Sequence, residues 1–413
     1  MSAQHPSLTQ GIGDRVRIYR DAAGLSQVEL AALIGRSAVW VSQVERGISH
    51  AERLTDIVNI AAACRCSPQD LLGGSINALA PKAAPRREQV AEVREVIMRT
   101  ALPIVQPSSA PPVSLDEIGE RVAQAWTTWH TSPTAHGSVG RVLPQLILDA
   151  NTAYLTADTD VRRRAARTLC GTYQISRLWL HHLPEAELAW VAAERSVATA
   201  READDPHLLA LGAWAMSASY RRAGQQEEAT RVCLQAADDL QRRFGDNPSN
   251  ELLAAYGMLN LAAAISSAQS DESGKAWALH QAAEDAARAI GSSYDPWTMF
   301  GAGNVDIHGL AISAELGDHD AVVDKISRLD IDRVPSVERR SRPLVDAARG
   351  YVKRKDDLAA VLALLDAEKI SADEVHDSGL VRELVRELLM RDHARARPHV
   401  RALAVRCHLL IDG

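Results

Sequence analysis

The sequence predicts an all-α protein, in which a small N-terminal helical domain precedes a longer array of paired helices. Residues 24–47 have the apolar spacing of two short helices joined by a glycine turn. Residues 114–413 repeat a helix-turn-helix unit with a period of about 34–45 residues. Only two Phe occur among 413 residues and alanine-rich segments dominate, which favours a core of closely approaching helices.

The stretch 24–47 predicts two helices with one buried face each. Gly35 lies between them, where the chain needs a positive φ to turn. Ser26 and Ser37 stand at the positions expected for N-caps. The apolar residues recur at helical spacing and form the two predicted faces: Leu30, Leu33 and Ile34 on the first helix, Val41 and Val44 on the second.

The second helix leaves a face of mixed polarity opposite Val41 and Val44. A short helix with such a face fits the major groove of DNA. The sequence therefore predicts a DNA-binding motif. The alternative is a small helical bundle with no role in nucleic-acid binding. The residues predicted on the exposed face are Ala38, Val39, Ser42 and Gln43.

The same stretch carries the pattern LSQ-x-x-LA-x-x-IG-x-S-x-x-x-VSQ-x-E-x-G. With it, the chain from Asp14 to about Leu72 resembles a Cro/cI-type (XRE-family) helix-turn-helix domain of five helices. The resemblance implies that Ser26 and Gln27 anchor the first helix of the motif to phosphate, and that the second helix faces base edges. The DNA-contacting residues expected within this domain, 8–73, are Ser26, Gln27, Arg36, Ser37, Ala38, Val39, Trp40, Ser42, Gln43 and Arg46.

Two departures from the family pattern affect DNA contact. After Gly47 the usual proline-containing loop is replaced by residues 48–53, one residue longer. Ala38 and Val39 stand where polar readers are common, so we expect base recognition through thymine methyl groups and Gln43.

The N-terminal domain has no net charge, although a basic DNA-binding domain would be expected. Residues 1–73 hold seven Lys and Arg and seven Asp and Glu. Since phosphate contacts by one such domain bind DNA weakly, we expect a homodimer on two half-sites of a double-stranded operator.

Composition indicates a cytoplasmic protein. The chain is 46% hydrophobic and 24% charged, which is ordinary for soluble proteins. No apolar run reaches membrane-spanning length, no membrane association is expected, and residues 1–6 lack the apolar core of a signal peptide. Cys64-x-Cys66 has neither zinc nor redox spacing, so all five cysteines are expected to be reduced: Cys64, Cys66, Cys170, Cys233 and Cys407.

Residues 74–113 form a predicted proline-rich linker. Within it, Arg86 to Arg99 has the spacing of a short amphipathic helix, with Val90, Val93 and Ile97 on one side. This helix is either a solvated connector or a dimerisation or docking helix.

The repeats after residue 114 predict an α-solenoid. The clearest copy, Pro206 to Leu240, has small residues at the spacings of a tetratricopeptide repeat, and about five copies can be counted. Stacked copies make a superhelix with a concave surface lined by the first helix of each pair. Looser copies begin near Val161, Glu251, Asn304 and Ser336, with helix breaks at Pro184, Ser270 to Ser273, Gly317-Asp318 and Lys355-Asp356.

The predicted concave surface is polar, aromatic and cationic. It is either an ordinary hydrated groove or a pocket for a peptide or small metabolite, in which arginines hold a carboxylate and Trp214 supplies an apolar wall. The candidate ligand-binding residues are Gln174, His181, Trp214, Arg221, Asn304, Arg342 and Arg349, with His182 and Arg222 beside them.

The whole architecture resembles actinobacterial XRE regulators with a C-terminal tetratricopeptide-like domain, including the segments NVDIHGLAISAELGD and VRELVRELLMR. It also resembles peptide-pheromone receptors that join an XRE domain to a repeat domain. The resemblance implies a transcriptional regulator whose domain 114–413 senses a small molecule or peptide and mediates dimerisation. The alternative is a DNA-tethered scaffold whose repeat domain binds a protein partner or a co-encoded antagonist.

No enzyme class is indicated. The sequence lacks GxGxxG after a strand, a phosphate loop, HExxH and GxSxG, so neither catalysis nor a cofactor is expected. The adjacent pair His181-His182 diverges by about 100° on a helix and has no carboxylate or cysteine at ligand spacing, so no metal site is expected either.

Overall fold

The computed structural model describes residues 12–46, 54–64, 66, 71, 87–102 and 113–410. Helices are the only regular secondary structure in these ranges, which confirms the all-α fold class. The chain divides into two compact units, whose main segments are Met1–Pro85 and Arg86–Cys407.

The N-terminal unit contains four helices in its described part. Ser26 caps α2 in a capping box with Glu29, Ser37 caps α3, and Gly35 has φ 67°, as expected for a left-handed turn residue. The predicted loop 47–53 and most of the chain expected to form a fifth helix lie outside the described residues. The four helices are α1 (Ile12–Ala22), α2 (Gln27–Ile34), α3 (Ala38–Glu45) and α4 (Leu54–Ala63).

The core of this unit confirms four of the five predicted apolar positions. Leu30, Ile34, Val41 and Val44 are buried, but the side chain of Leu33 is 64% exposed. The prediction for Leu33 was wrong because the third inward position of α2 is taken by a neighbouring small residue, Ala31, which lets α2 approach its neighbours closely.

A buried ion pair joins α1 to the end of α3. Arg20 Nε donates to Glu45 Oε1 at 2.6 Å, and Arg20 Nη2 donates to Glu45 Oε2 at 3.1 Å. Gln27 Nε2 donates to the same carboxylate at 2.7 Å, which ties α2 to the pair. Three helices are therefore held at one carboxylate, and this contact fixes the angle at which α3 is presented.

The C-terminal unit is an array of helices connected by short turns. The first eight are α5 (Arg87–Arg99), α6 (Leu115–Thr131), α7 (Ala135–Thr156), α8 (Thr159–His181), α9 (Ala186–Ala203), α10 (Pro206–Arg222), α11 (Gln226–Gln241) and α12 (Asn250–Gln269). The others are α13 (Ser273–Ile290), α14 (Ala302–Glu315), α15 (His319–Ile326), α16 (Val337–Lys353), α17 (Asp357–Ile370), α18 (Ala372–His376), α19 (Gly379–Arg391) and α20 (Arg397–Arg406).

The predicted repeats correspond to five successive helix pairs, from α8–α9 to α16–α17. All four predicted helix breaks fall between helices. Gly224, with φ 75°, makes the turn of the clearest copy. One further pair, α6–α7, precedes these five and has no counterpart among the predicted copies.

The array closes on itself. The first helices of the pairs, α6, α8, α10, α12, α14 and α16, each pack on the next, and α16 also packs on α6 while α18 packs on α7. His130 Nδ1 lies 3.1 Å from Ser336 Oγ, and the backbone N–H of His136 donates to Asp373 at 3.0 Å. The expected concave groove is therefore an interior cavity of a closed array.

The amphipathic helix predicted inside the linker docks on this array as α5. Val93, Val96 and Ile97 are buried in the same core as α6 to α8. The compact unit thus begins before the predicted boundary at residue 114, because this helix buries its apolar side within it. The predicted linker prolines lie outside the described residues.

The structure bears on two expectations from composition: the state of the cysteines and the absence of a membrane-spanning apolar run. None of the five cysteines forms a disulfide, as predicted. By length and composition alone α12 could cross a membrane, contrary to the expectation that no apolar run does, but 72% of its apolar window is buried inside the protein. Its apolarity is explained by a position in the centre of the array.

We predict that Glu45→Ala opens the N-terminal unit. Removing one partner of a buried, hydrogen-bonded ion pair leaves the other charge unpaired and costs about 3–5 kcal/mol. Hydrogen exchange of the full chain should show α1 to α3 losing protection by roughly this free energy of opening, while α8 to α16 are unaffected. The control Glu29→Gln keeps an acceptor in the capping box and should change little. Equal protection in Glu45→Ala and the control would contradict this role of the pair.

Candidate functional site

The exposed face of α3 holds the predicted base-reading side chains. The side chain of Val39 is 65% exposed, and Ala38, Ser42 and Gln43 are partly exposed. Arg46 follows α3 and is also exposed. Since the opposite side of α3 is buried, this helix can present only this face to DNA.

The residues predicted to hold phosphate are engaged in local hydrogen bonds. The hydroxyl groups of Ser26 and Ser37 accept from the backbone N–H groups of Glu29 and Trp40. The side-chain amide of Gln27 donates to Glu45. These side chains shape the motif, and the helix N-termini that they cap carry N–H groups suited to phosphate.

Several arginines of this unit have partners within it. Arg36 Nη2 donates to both carboxylate oxygens of Asp56 at 2.8 Å, and its guanidinium carbon lies 5.1 Å from the centre of the Trp40 ring. Arg15 Nε donates to the carbonyl oxygen of Leu71 at 2.7 Å. The zero net charge found in the sequence therefore goes together with arginines committed to the fold.

A cavity of about 550 Å³ lies inside the closed array of the C-terminal unit. Its wall comes from the inner helices α8, α10, α12, α14 and α16 and from the segment around α18 and α19. One side is apolar, formed by residues such as Trp214, Met258 and Ile307. Its volume is within the range of cavities that bind small molecules.

The polar side of the cavity is strongly basic. Six arginines line it against three acidic residues, Glu315, Glu338 and Asp377. Burial lowers the pKa of His308 to about 3, so this cavity histidine is neutral near pH 7. The positive charge of the wall is therefore carried by the arginines, which are Arg177, Arg221, Arg222, Arg339, Arg342 and Arg382.

Arg177 is the most unusual of these residues. Its side chain is 1% exposed, and its Nε and Nη2 atoms are buried without a hydrogen-bond partner. Its guanidinium carbon lies 4.4 Å from the centre of the Trp214 ring. Burial, together with the charges of Arg221 and Arg339, lowers the pKa of Arg177. A guanidinium stays charged in proteins, so the cavity wall contains a desolvated cation with donors to spare.

Two other arginines have defined partners. Arg222 donates to the carbonyl oxygens of His181 and Leu183, and so caps the end of α8. Arg342 Nε donates to Asp346 at 3.3 Å, and the charge of that carboxylate raises the pKa of Arg342. Arg222 therefore stabilises the end of α8, whereas the side chain of Arg342 is 52% exposed.

Some of the residues predicted to bind ligand line the cavity and others do not. His181, His182, Trp214, Arg221, Arg222 and Arg342 are in its wall. Gln174 donates instead to Ser196, Asn304 to the carbonyl oxygen of Thr298, and Arg349 to Glu315. Each of the three is one or two helical turns away from a wall residue of its own helix, Arg177, His308 or Arg342, and is hydrogen-bonded to a neighbouring segment instead.

The sequence analysis missed Arg177, Arg339 and His308. A signal for Arg177 was present, since Gln174, Arg177 and His181 are spaced by three and four residues and share one face of α8. The same signal was present for His308, four residues after Asn304, and for Arg339, three residues before Arg342.

A second polar cluster adjoins the cavity. His136 Nδ1 donates to Asp377 at 2.8 Å, and His136 Nε2 lies 2.9 Å from Glu374. His182 Nδ1 lies 3.3 Å from the other oxygen of Glu374. Burial opposes charge on His136, but the hydrogen bonds to Asp377 and Glu374 outweigh it and raise its pKa to about 9. No carboxylate was expected near His182 from the sequence, but the closure of the array brings Glu374 there.

Comparison with known proteins places a family domain at the N-terminus. Residues 12–72 match the family model described as a helix-turn-helix domain. None of the curated proteins compared matches the chain. The chain is similar to a solved structure, Bacillus thuringiensis PlcR in complex with the peptide PapR7 and DNA, at 12% identity. That likeness covers 68% of this chain and 96% of PlcR with a TM-score of 0.26, which is too distant to inform function. The domain match and the geometry of α1 to α4 support a DNA-binding transcription regulator of the helix-turn-helix type.

Proposed function

We propose that this protein is a sequence-specific, homodimeric transcription regulator whose C-terminal unit senses a ligand and has no catalytic role. The ligand is an anion with an apolar part, either a small molecule or the end of a short peptide. It binds in the arginine-lined cavity and changes the affinity of the N-terminal unit for its operator in the cytoplasm.

The observation that carries this proposal is the buried guanidinium of Arg177, whose Nε and Nη2 donors have no hydrogen-bond partner among the described residues. Burying an ion without a counter-charge costs several kcal/mol. Contact with the ring of Trp214 returns about 2 kcal/mol when the pair is desolvated. The charge of Glu338 offsets part of the remaining cost, but Nε and Nη2 have no hydrogen-bond partner among the described residues, and a carboxylate or phosphate in the cavity would supply one.

The rest of the cavity defines the ligand further. The excess of arginines over acidic residues selects negative charge, and Trp214, Met258 and Ile307 offer an apolar wall to the other end of the ligand. A cavity of about 550 Å³ accepts a small molecule or a peptide terminus but not a folded protein. This size favours ligand sensing over the scaffold alternative.

DNA recognition rests on the exposed face of α3. Val39 can contact a thymine methyl group, and Gln43 can hydrogen-bond an adenine edge. Because Arg15, Arg20 and Arg36 are committed to partners within the domain, one copy offers few phosphate contacts. Two copies on paired half-sites would supply the missing affinity.

We predict that Gln43→Ala weakens operator binding by about 1–3 kcal/mol and relaxes the base preference at one position. An operator selected by the full chain from random duplexes, with half-sites about 10–10.5 bp apart or a multiple of that, provides the substrate for competition binding. Gln124→Ala, which removes an exposed glutamine from α6, serves as the matched control. Unchanged affinity and base preference in Gln43→Ala would remove this residue from the reading face.

We predict that Arg177→Met stabilises the ligand-free protein and abolishes anion binding. Replacing a buried, unpaired charge by an apolar side chain of similar length is expected to stabilise by about 1–4 kcal/mol. Thermal unfolding and calorimetric titration would use decanoate, decyl phosphate and decanol, together with a short apolar peptide carrying either a free or an amidated C-terminus. The wild type should bind only the charged probes.

Arg163→Met is the matched control, since Arg163 is on the same helix with a 74% exposed side chain. It should leave both stability and binding unchanged. If Arg177→Met instead destabilises the protein as much as an ordinary core substitution, the guanidinium has a structural role. If decanol binds as tightly as decanoate, the proposal of an anionic ligand is wrong.

A further inference from the structure

Three potential metal ligands from three helices converge beside the cavity. They are His136 near the start of α7, His182 directly after α8, and Glu374 on α18. Their ring nitrogens and carboxylate oxygens all lie within 4.8 Å of one another, with contacts of 2.9 and 3.3 Å at Glu374. Neighbouring ligands of a tetrahedral zinc ion with bonds of 2.0–2.1 Å lie about 3.3 Å apart. Small side-chain adjustments would bring the three atoms onto one ion.

His136 already has the support that metal-bound histidines require. Asp377 Oδ2 accepts from its Nδ1–H at 2.8 Å, which leaves Nε2 as the atom directed at Glu374. The ring of Trp129 stacks on the imidazole, with centroids 5.1 Å apart and planes 15° apart. Asp373 also holds the backbone N–H of His136. The ring therefore has one orientation before any ion binds.

The charges of the cluster favour a divalent cation. Three carboxylates, those of Asp373, Glu374 and Asp377, meet at His136. Buried carboxylates are stabilised by cations or metal ions, and a divalent ion between the two imidazoles and Glu374 would supply such a charge.

We propose that His136, His182 and Glu374 bind one divalent transition-metal ion of the zinc class, with Asp377 orienting His136. Two imidazoles and one carboxylate suit zinc, cobalt or nickel and disfavour magnesium and calcium, which prefer oxygen ligands. His182 and Asp377 also line the cavity, so the remaining coordination position is accessible to water or to an anionic group bound there. The ion would join α18 to α7 and α8 across the point where the array closes.

The test uses the untagged full chain, stripped with a chelator and titrated with Zn²⁺ and, separately, with Co²⁺. Calorimetry should give one site per chain, and Co²⁺ should develop the visible absorption of a low-coordinate N/O site. Mg²⁺ should not compete. Asp377→Asn should weaken binding about 10–100-fold, as loss of an outer partner does. His182→Asn and Glu374→Gln, which remove ligands, should weaken it more.

The matched control is His376→Gln. His376 is on the same short helix as Glu374 but pairs with Glu368 at 2.6 Å, outside the cluster. The His376→Gln variant should bind zinc with the same affinity as the wild type. The proposal is wrong if the wild type shows no stoichiometric zinc binding and no cobalt spectrum, or if His376→Gln loses binding as strongly as His182→Asn. The wild-type titration and cobalt spectrum test the existence of the site independently of how any variant folds.

Discussion

The packing of α16 and α18 against α6 and α7 is the constraint on which the C-terminal unit depends. It converts a row of helix pairs into a closed array, so the inner faces of α8, α10, α12, α14 and α16 become the wall of one cavity. Polar contacts contribute to this closure, among them His130 with Ser336 and His136 with Asp373. Hydrogen bonds need defined geometry, whereas apolar contacts tolerate sliding. Closure in a single register explains how side chains distant in sequence reach fixed positions in the wall.

The same closure buries charged side chains, which lowers the stability of the protein but prepares the cavity to bind a ligand. An arginine on the outside of a helix array would be hydrated, but Arg177 faces inward and is cut off from solvent. Several further arginines share the cavity, so their mutual repulsion adds to the cost of desolvation. Proteins retain such costly groups mainly at binding sites, where a ligand supplies the missing partner. An anion would therefore bind strongly because the unoccupied cavity is unfavourable.

Local features of this protein were predictable from its sequence, and long-range ones were not. Ser26, Gly35 and Ser37 act within one turn of chain, so their capping and turning roles follow from residue type and spacing. The breaks between the repeated helices were predictable for the same reason. Leu33 was misassigned because its burial depends on which neighbours α2 meets. Gln174, Asn304 and Arg349 were predicted on the concave surface, but they lie one or two turns beyond the cavity along their helices and are hydrogen-bonded to neighbouring segments. His136 and His182 meet because α7 and α8 are consecutive packed helices, but Glu374 joins them only through closure, for which there is no local signal.

The central claim is that one anion in the cavity and one operator at α3 influence each other's binding. Thermodynamic linkage requires this influence to be reciprocal. The most direct measurement is the affinity of the full chain for its selected operator with and without the tightest-binding anionic probe, together with the affinity for that probe with and without operator. The account predicts that both affinities change by the same factor, about 5–150-fold. Equal operator affinity in the presence and absence of a saturating, cavity-bound probe would contradict it.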